Sequence, residues 1–262
     1  MSANDYVNLK LEKRGHTAVV FLANPPAHTW TSEALQSLRR LVQELDADRD
    51  IYALVITGEG NKFFSAGADL KQFADGDKAR ARAVTRRFGE AFEALAAFRG
   101  VSIAAINGYA MGGGLECALA CDLRIAEEHA QMALPEASVG LLPAAGGTQR
   151  LAWLVGEGWA KRMILCGERV DANTAKSIGL VEEIVPKGGA LDAALKLAEQ
   201  AAQQSPVAVA ACKRLIQGAR NNALLQFLPA EREEFVDLFD TQDQKEGVTA
   251  FLEKRKPQWR NG

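Results

Sequence analysis

No stretch of this 262-residue chain approaches the roughly 18 consecutive uncharged apolar residues that a membrane-spanning helix requires, so no transmembrane segment is expected. Residues 1–15 are polar, with Asp5, Glu12 and Lys13 and no apolar core segment, so a secretory signal is not expected either. The reading is a soluble, cytoplasmic protein. A charge of one sign is also missing: 31 Lys and Arg stand against 33 Asp and Glu, leaving no net basic field to attract nucleic acid. The cysteines Cys117, Cys121, Cys166 and Cys212 form no CxxC pair, and the histidines His16, His28 and His129 are scattered. That excludes the usual metal-ligand spacings, and the cysteines are expected to be small buried hydrophobes rather than disulfide partners. Nucleotide motifs are missing as well. Gly58-Glu59-Gly60 follows a strand pattern, but Phe63 occupies the third glycine position of a dinucleotide fingerprint, and there is no GxxxxGK[ST] loop.

What is present is the balance of an ordinary globular protein, with 48% hydrophobic and 24% charged residues. Val7 to Leu11 and Thr17 to Leu22 alternate as an opening hairpin, and Leu35, Leu38, Leu41, Val42 and Leu45 recur at helical spacing. Ile51 to Thr57 and Val101 to Ile106 are compact, branched apolar runs that suit strands buried on both faces. A helix carrying Phe88, Phe92 and Leu95 lies between them, and residues 112–121 predict a short helix followed by short strands at Leu123 to Ala126 and Gln131 to Leu134. Strands alternating with helices argue an α/β fold. Beyond residue 190 the pattern is helical throughout. Ser205-Pro206 predicts a helix start, and Asp243 with Glu246 predicts a capping box for the last helix. The division predicted is a body over residues 1–200 and a helical carboxyl-terminal unit over 201–262.

Three segments are suited to chemistry. Gly112, Gly113 and Gly114 lie between a strand and a helix, where glycine lets backbone amides approach a ligand and the helix start favours a developing oxyanion. Close backbone packing is the other reading. Glu116 follows among Leu115, Cys117 and Ala118: either it faces a cavity or partner, or it is a surface residue on a short helix. Glu136 sits after Pro135 in a second apolar stretch that ends Gly146-Gly147-Thr148-Gln149-Arg150, and it is either a second acid–base group or a loop residue. Two carboxylates in unlike environments can hold different protonation states at one pH. The small-residue run Ala66-Gly67-Ala68 could lend a further amide, with Asp69 and Leu70 behind it; Asp69 equally suits a helix cap.

Four ordered blocks, FFSAGADL at 63–70, INGYAMGGGLECALACDLRIA at 106–126, ALPEASVGLLPAAGGTQRL at 133–151 and KEGVTAFLEKRKPQW at 245–259, resemble the enoyl-CoA hydratase, or crotonase, family. The resemblance implies a spiral of strand-strand-helix turns with a helical tail that packs into a trimer or hexamer. It implies an acyl-CoA substrate with coenzyme A as part of it, no separate cofactor, and oxyanion-hole amides at Ala66 and Gly113. Glu116 and Glu136 are implied as the catalytic pair, with substrate contacts from Ala66 to Leu70, Gly112, Gly113 and Pro135. Phe251 and Lys254 are implied to meet the coenzyme's adenosine end in a neighbouring subunit; a solvated basic helix end is the alternative. The implied reaction is syn addition of water across a 2-enoyl-CoA double bond. Isomerase, decarboxylase, dehalogenase or lyase activity is the nearest alternative, and a non-catalytic or RNA-binding scaffold the distant one. The segment Asn24 to Thr31 departs from the family by lacking a lysine, and Trp30 within it is a candidate for reshaping the pocket.

Overall fold

The structure, a computed structural model, describes residues 6–262. The chain opens with a hairpin, β1 (Leu9–Arg14) antiparallel to β2 (Thr17–Leu22), then α1 (Ser32–Ala47), whose Thr31 side chain accepts from the Ala34 amide as its cap. Three turns of a repeating unit follow. The first is β3 (Ala53–Gly58), β4 (Phe63–Ser65) and α2 (Lys78–Ala97), and the second is β5 (Val101–Ile106), β6 (Tyr109–Met111) and α3 (Gly113–Ala120). The third is β7 (Leu123–Glu127), β8 (Gln131–Ala133) and α4 (Gly147–Leu165). Then β9 (Val170–Asp171), α5 (Ala172–Ser177), β10 (Glu183–Val185) and α6 (Ala190–Ala202) complete the body, and α7 (Pro206–Gly218), α8 (Leu224–Asp237) and α9 (Gln242–Leu252) follow.

In each turn the first strand joins a six-stranded sheet ordered β1-β2-β3-β5-β7-β10 and the second joins a four-stranded sheet ordered β4-β6-β8-β9. This is the α/β spiral that the sequence resemblance implies. It leaves no fixed sequence period because the helices closing the turns have 20, 8 and 19 residues. The larger sheet is apolar on both faces, as its continuous branched runs predict. Val20, Leu54, Ile56, Ala104, Ile106 and Ala126 pack into the main core with the side chains of α1, α2 and α3. Val19, Val55, Ile103 and Ile125, one residue out of phase, meet Ala190, Ala194 and Ala198 of α6 on the opposite face. Alanine at that spacing lets the helix approach the sheet closely.

The turns of the spiral are tied by polar side chains. Asn107 donates through Nδ2 to the carbonyls of Gly58 (2.8 Å) and Gly60 (2.9 Å) and accepts from the Gly58 amide (3.1 Å), clamping adjacent turns together. Lys213 of α7 donates to the carbonyls of Phe98 and Gly100 and pairs with Asp122 at 2.7 Å, fastening α7 to the spiral.

Several expectations need correction. Ser205 does cap α7, accepting from the Ala208 amide, but Asp243 does not open a capping box. Thr241 caps α9, while Asp243 is buried and accepts from the amides of Arg260 (2.7 Å) and Asn261 (3.1 Å) and from Ser205 Oγ (3.0 Å). It binds the returning tail, a partner that local sequence does not reveal. Cys117 and Cys121 are buried as expected, whereas Cys166 and Cys212 are exposed. Trp30 is buried in the core with its ring edge-on to Phe92 at 5.6 Å, so it does not shape a pocket wall. No helix among the described residues is long and apolar enough to cross a membrane.

Replacing Asp243 by alanine is expected to lower unfolding stability by about 2–3 kcal/mol, because three donors lose a charged acceptor in a buried site. The midpoint of urea unfolding, compared at constant slope, measures it.

Candidate active site

The site forms where the second strands of three spiral turns end side by side. Parallel pairing of β4 with β6 and β6 with β8 brings residues 65–68, 111–113 and 133–136 to one edge. Each crossing uses glycine for contact. A Cβ at Gly114 would lie 2.3 Å from the Ser65 carbonyl oxygen, and one at Gly67 would lie 2.7 Å from the Met111 carbonyl oxygen and 3.0 Å from the Gly113 nitrogen. Side chains there would hold the two segments apart.

This packing decides which amides are free. The Ala66 amide donates to the Ala27 carbonyl at 2.9 Å, and the Asp69 amide donates to the Trp30 carbonyl at 3.1 Å. Gly67, at φ +90°, turns the chain between them. The Ala68 amide makes no hydrogen bond among the described residues and lies 3.7 Å from where a Cβ of Gly113 would be. The Gly113 amide is likewise without a partner, in the first turn of α3, where Gly112 offers no side-chain cap. The amide pair available to a ligand oxygen is therefore Ala68 and Gly113. Ala66, implied by the resemblance, is corrected: it contributes its side chain to the wall, but its N–H is already spent.

Glu116 and Glu136 face a common cavity of about 270 Å³, lined also by Ala66, Ala68, Leu70, Gly112, Gly113 and Pro135. Leu141, Leu142, Val139, Phe73, Phe88 and Met111 give it apolar walls. Glu116 is only 3% exposed, in the first turn of α3. Its Oε1 accepts from the amides of Ala145 (2.8 Å) and Gly147 (2.9 Å). Burial pushes its pKa above the ordinary carboxylate range, while those two amides and the positive charge of Arg150 oppose the rise.

Glu136 has only its own backbone amide to oppose a rise in its pKa. Its Oε2 is buried without a hydrogen-bond partner, and its pKa is pushed up to about 7, chiefly by burial and further by the negative charge of Glu116. A Cβ at Gly112 would sit 3.0 Å from Glu136 Oε1, so the absent side chain leaves that carboxyl its place beside the amide pair. The site thus holds one carboxyl group supported by two amides and one that titrates near neutral pH with far less support.

The other expected residues are placed as follows. Gly67 underlies the amide pair without lining the cavity, and Asp69 caps a 3-10 helix over Leu70–Phe73 by accepting from the Lys71 amide. Phe251, 83% exposed at the end of α9, and the exposed Lys254 do not reach the cavity within this chain. His28 accepts from the Asn24 amide through Nδ1 and donates from Nε2 to the Glu59 carbonyl, and His129 contacts Asn61 and Glu127. Neither has a serine or cysteine against its ring, so no triad forms among the described residues. Nor does any cluster of three or more metal-ligating side chains. The amides of Ala145 and Gly147 were missed because main-chain donors leave no residue-type signature; the Gly146-Gly147 pair was their only trace.

The sequence matches the enoyl-CoA hydratase/isomerase family over residues 12–262. The chain belongs to this family. Among relatives, the short-chain-enoyl-CoA hydratase of Clostridium acetobutylicum is 37% identical over 95% of this chain and 96% of its own. The 2,3-dehydroadipyl-CoA hydratase of Escherichia coli is 40% identical over 96% and 98%. Among solved structures, Pseudomonas aeruginosa DspI superposes with a TM-score of 0.96 at 69% identity, covering 99% of each chain. Enoyl-CoA hydratase from Bacillus anthracis superposes at 0.93 with 35% identity, covering 97% of this chain and 100% of its own. In this member of the enoyl-CoA hydratase/isomerase family, two inward-facing glutamates and a free amide pair meet at one apolar cavity.

The raised Glu136 pKa has a stability consequence. Between its ordinary value of 4.5 and about 7 the folded protein binds more proton than the unfolded chain, so stability falls as pH rises through that window and the loss is complete above it. Glu136→Gln is therefore expected to stabilise the protein at pH ~8 by on the order of 1 kcal/mol, reduced from the full linkage value by solvent access, and to do nothing near pH ~4. Urea unfolding of both proteins at the two pH values checks the sign.

Proposed function

We propose that this protein is a hydratase that adds water, syn, across the 2,3 double bond of a 2-enoyl-CoA thioester to give the 3-hydroxyacyl-CoA. The observation that carries this reading is the pairing of two differently held glutamates with two unoccupied amides on one apolar cavity. The thioester carbonyl accepts from the N–H groups of Ala68 and Gly113 and takes up the negative charge that develops on the oxygen. Donors fixed in advance in a water-poor site stabilise that charge, and one such donor is typically worth about 3–4 kcal/mol of barrier.

Glu116, whose charged form its two amides favour, takes a proton from water as the oxygen bonds to the β-carbon. Glu136, which holds its proton up to about pH 7, passes it to the α-carbon as the enolate collapses. Passing the proton gained by Glu116 to Glu136, directly or through solvent, restores the starting state. The apolar walls from Leu70, Phe73, Val139, Leu141 and Leu142 suit an acyl chain. Coenzyme A enters as part of the substrate, and the chemistry calls on no separate cofactor. The same reading includes self-association as a trimer or hexamer through the carboxyl-terminal helices, where Leu224, Leu225, Phe235, Phe239, Phe251 and Leu252 are exposed. It also places the protein in the cytoplasm.

Loss of the conjugated thioester absorbance of crotonyl-CoA is the direct test. Glu116→Gln and Glu136→Gln are each expected to lower kcat by on the order of 10³-fold in folded protein. Unchanged turnover in both would dismiss the assignment. Because the proton donor must be protonated in the free enzyme, kcat/KM is expected to fall as pH rises through about 7, and a profile level to pH ~9 would remove Glu136 from that role.

A further inference from the structure

The loop that holds Glu116 has a second face. Arg150, in the first turn of α4, is partly buried, and its side chain has no hydrogen bond or ion pair among the described residues. Its amide donates to the Gly146 carbonyl at 2.8 Å, and its side chain folds back over that residue: a Cβ at Gly146 would lie 2.9 Å from Nε and 3.3 Å from Cδ. Gly146, at φ +98°, separates Ala145 from Gly147, the two residues whose amides bind Glu116 Oε1. On the opposite side, a Cβ at Gly147 would meet Glu116 Oε1 at 2.9 Å. A loop only one glycine thick thus separates a guanidinium from the carboxylate that accepts the water proton.

No carboxylate pairs directly with that guanidinium among the described residues. Arg150 lines a cavity of about 1070 Å³ behind the loop, together with Cys121, Asp122, Trp153 and Arg220. Asp122 is already paired with Lys213, and Arg220 lies over the Trp153 ring. Burial and the like charge of Arg220 hold the Arg150 pKa below the usual guanidinium range, against the opposing influence of Cys121, Glu93 and Asp122. The charged group acting on Glu116 is Arg150, from behind the loop, while Glu116 in turn acts on Glu136 at the cavity side.

We propose that Arg150 is a positioning residue for Glu116: packed against Gly146, it holds the Ala145 and Gly147 amides on the carboxylate and supplies the positive charge behind them. The catalytic consequence rests on the hydratase reading; the electrostatic one does not.

The test compares wild type with Arg150→Met, Arg150→Gln and Arg150→Lys by two readouts: carboxyl ¹³C NMR titration of Glu116, assigned with Glu116→Gln, and pH profiles of kcat and KM on crotonyl-CoA. Arg150→Met is expected to move the Glu116 titration and the acid limb of the rate profile to higher pH. It is also expected to lower kcat on the order of tenfold with little change in KM, and Arg150→Lys to recover most of both. Should the methionine variant fail to fold, the glutamine variant carries the same comparison. An unmoved Glu116 titration in a folded neutral variant, or a lysine variant as impaired as the neutral ones, overturns the proposal. Lack of turnover by wild type removes the hydratase reading alone, and the titration then decides the role of Arg150.

Discussion

Two backbone segments in this protein meet with almost nothing between them. The chain at Ser65–Ala68 crosses the chain at Met111–Gly114 so closely that a methyl group at Gly114 would overlap the Ser65 carbonyl oxygen, at 2.3 Å. Three consequences follow from that contact. Ala68 and Gly113 turn unpaired amides toward the same space, α3 starts beside the cavity with its partial positive charge, and Glu116 in its first turn is carried into the interior. A larger residue at the crossing would separate the donors whatever the remaining contacts did.

The second constraint is electrostatic, and it works against stability. Neither glutamate is placed where a carboxylate would choose to be. Glu116 is compensated by two main-chain amides with a guanidinium behind them, while Glu136 has an oxygen with no partner and titrates near 7. The apolar walls that raise both pKa values also exclude water and strengthen every dipole in the site. One residue type is thus held in two unlike environments by differences in surroundings alone. The spiral makes this possible because each of its turns delivers one strand to the structural sheet and a second to the edge where these groups collect.

Legibility in the sequence followed the range of the interaction responsible. The helices with clear periodicity, α1, α2 and α6 to α9, were readable, as were the strands of the larger sheet other than β10, because amphipathic or continuous apolar patterns record burial directly. Of the short strands of the smaller sheet, two to three residues each, only β8 was read; β4, β6 and β9 carry too few side chains for a pattern. Helix α4 was obscured by glycines at 146, 147, 156 and 158, and Gly156 breaks its helical dihedrals. Asp243 reads locally as a helix cap and is instead claimed by Arg260 and Asn261, which fold back on it. Exposure of Cys166 and Cys212 likewise depends on neighbours distant in sequence.

The sequence by itself determined the α/β class, the oddity of two glutamates in apolar company, the glycine-rich approach to a helix start, and the family resemblance. Residue identities and local spacing suffice for each of these. Only the tertiary structure decided that the Ala66 amide is occupied and the Ala68 amide is not, that Ala145 and Gly147 hold Glu116, and that Glu136 lacks a partner. Every residue but proline carries an N–H, so which amide is free and which is bonded is written in the path of the folded backbone and not in the letters.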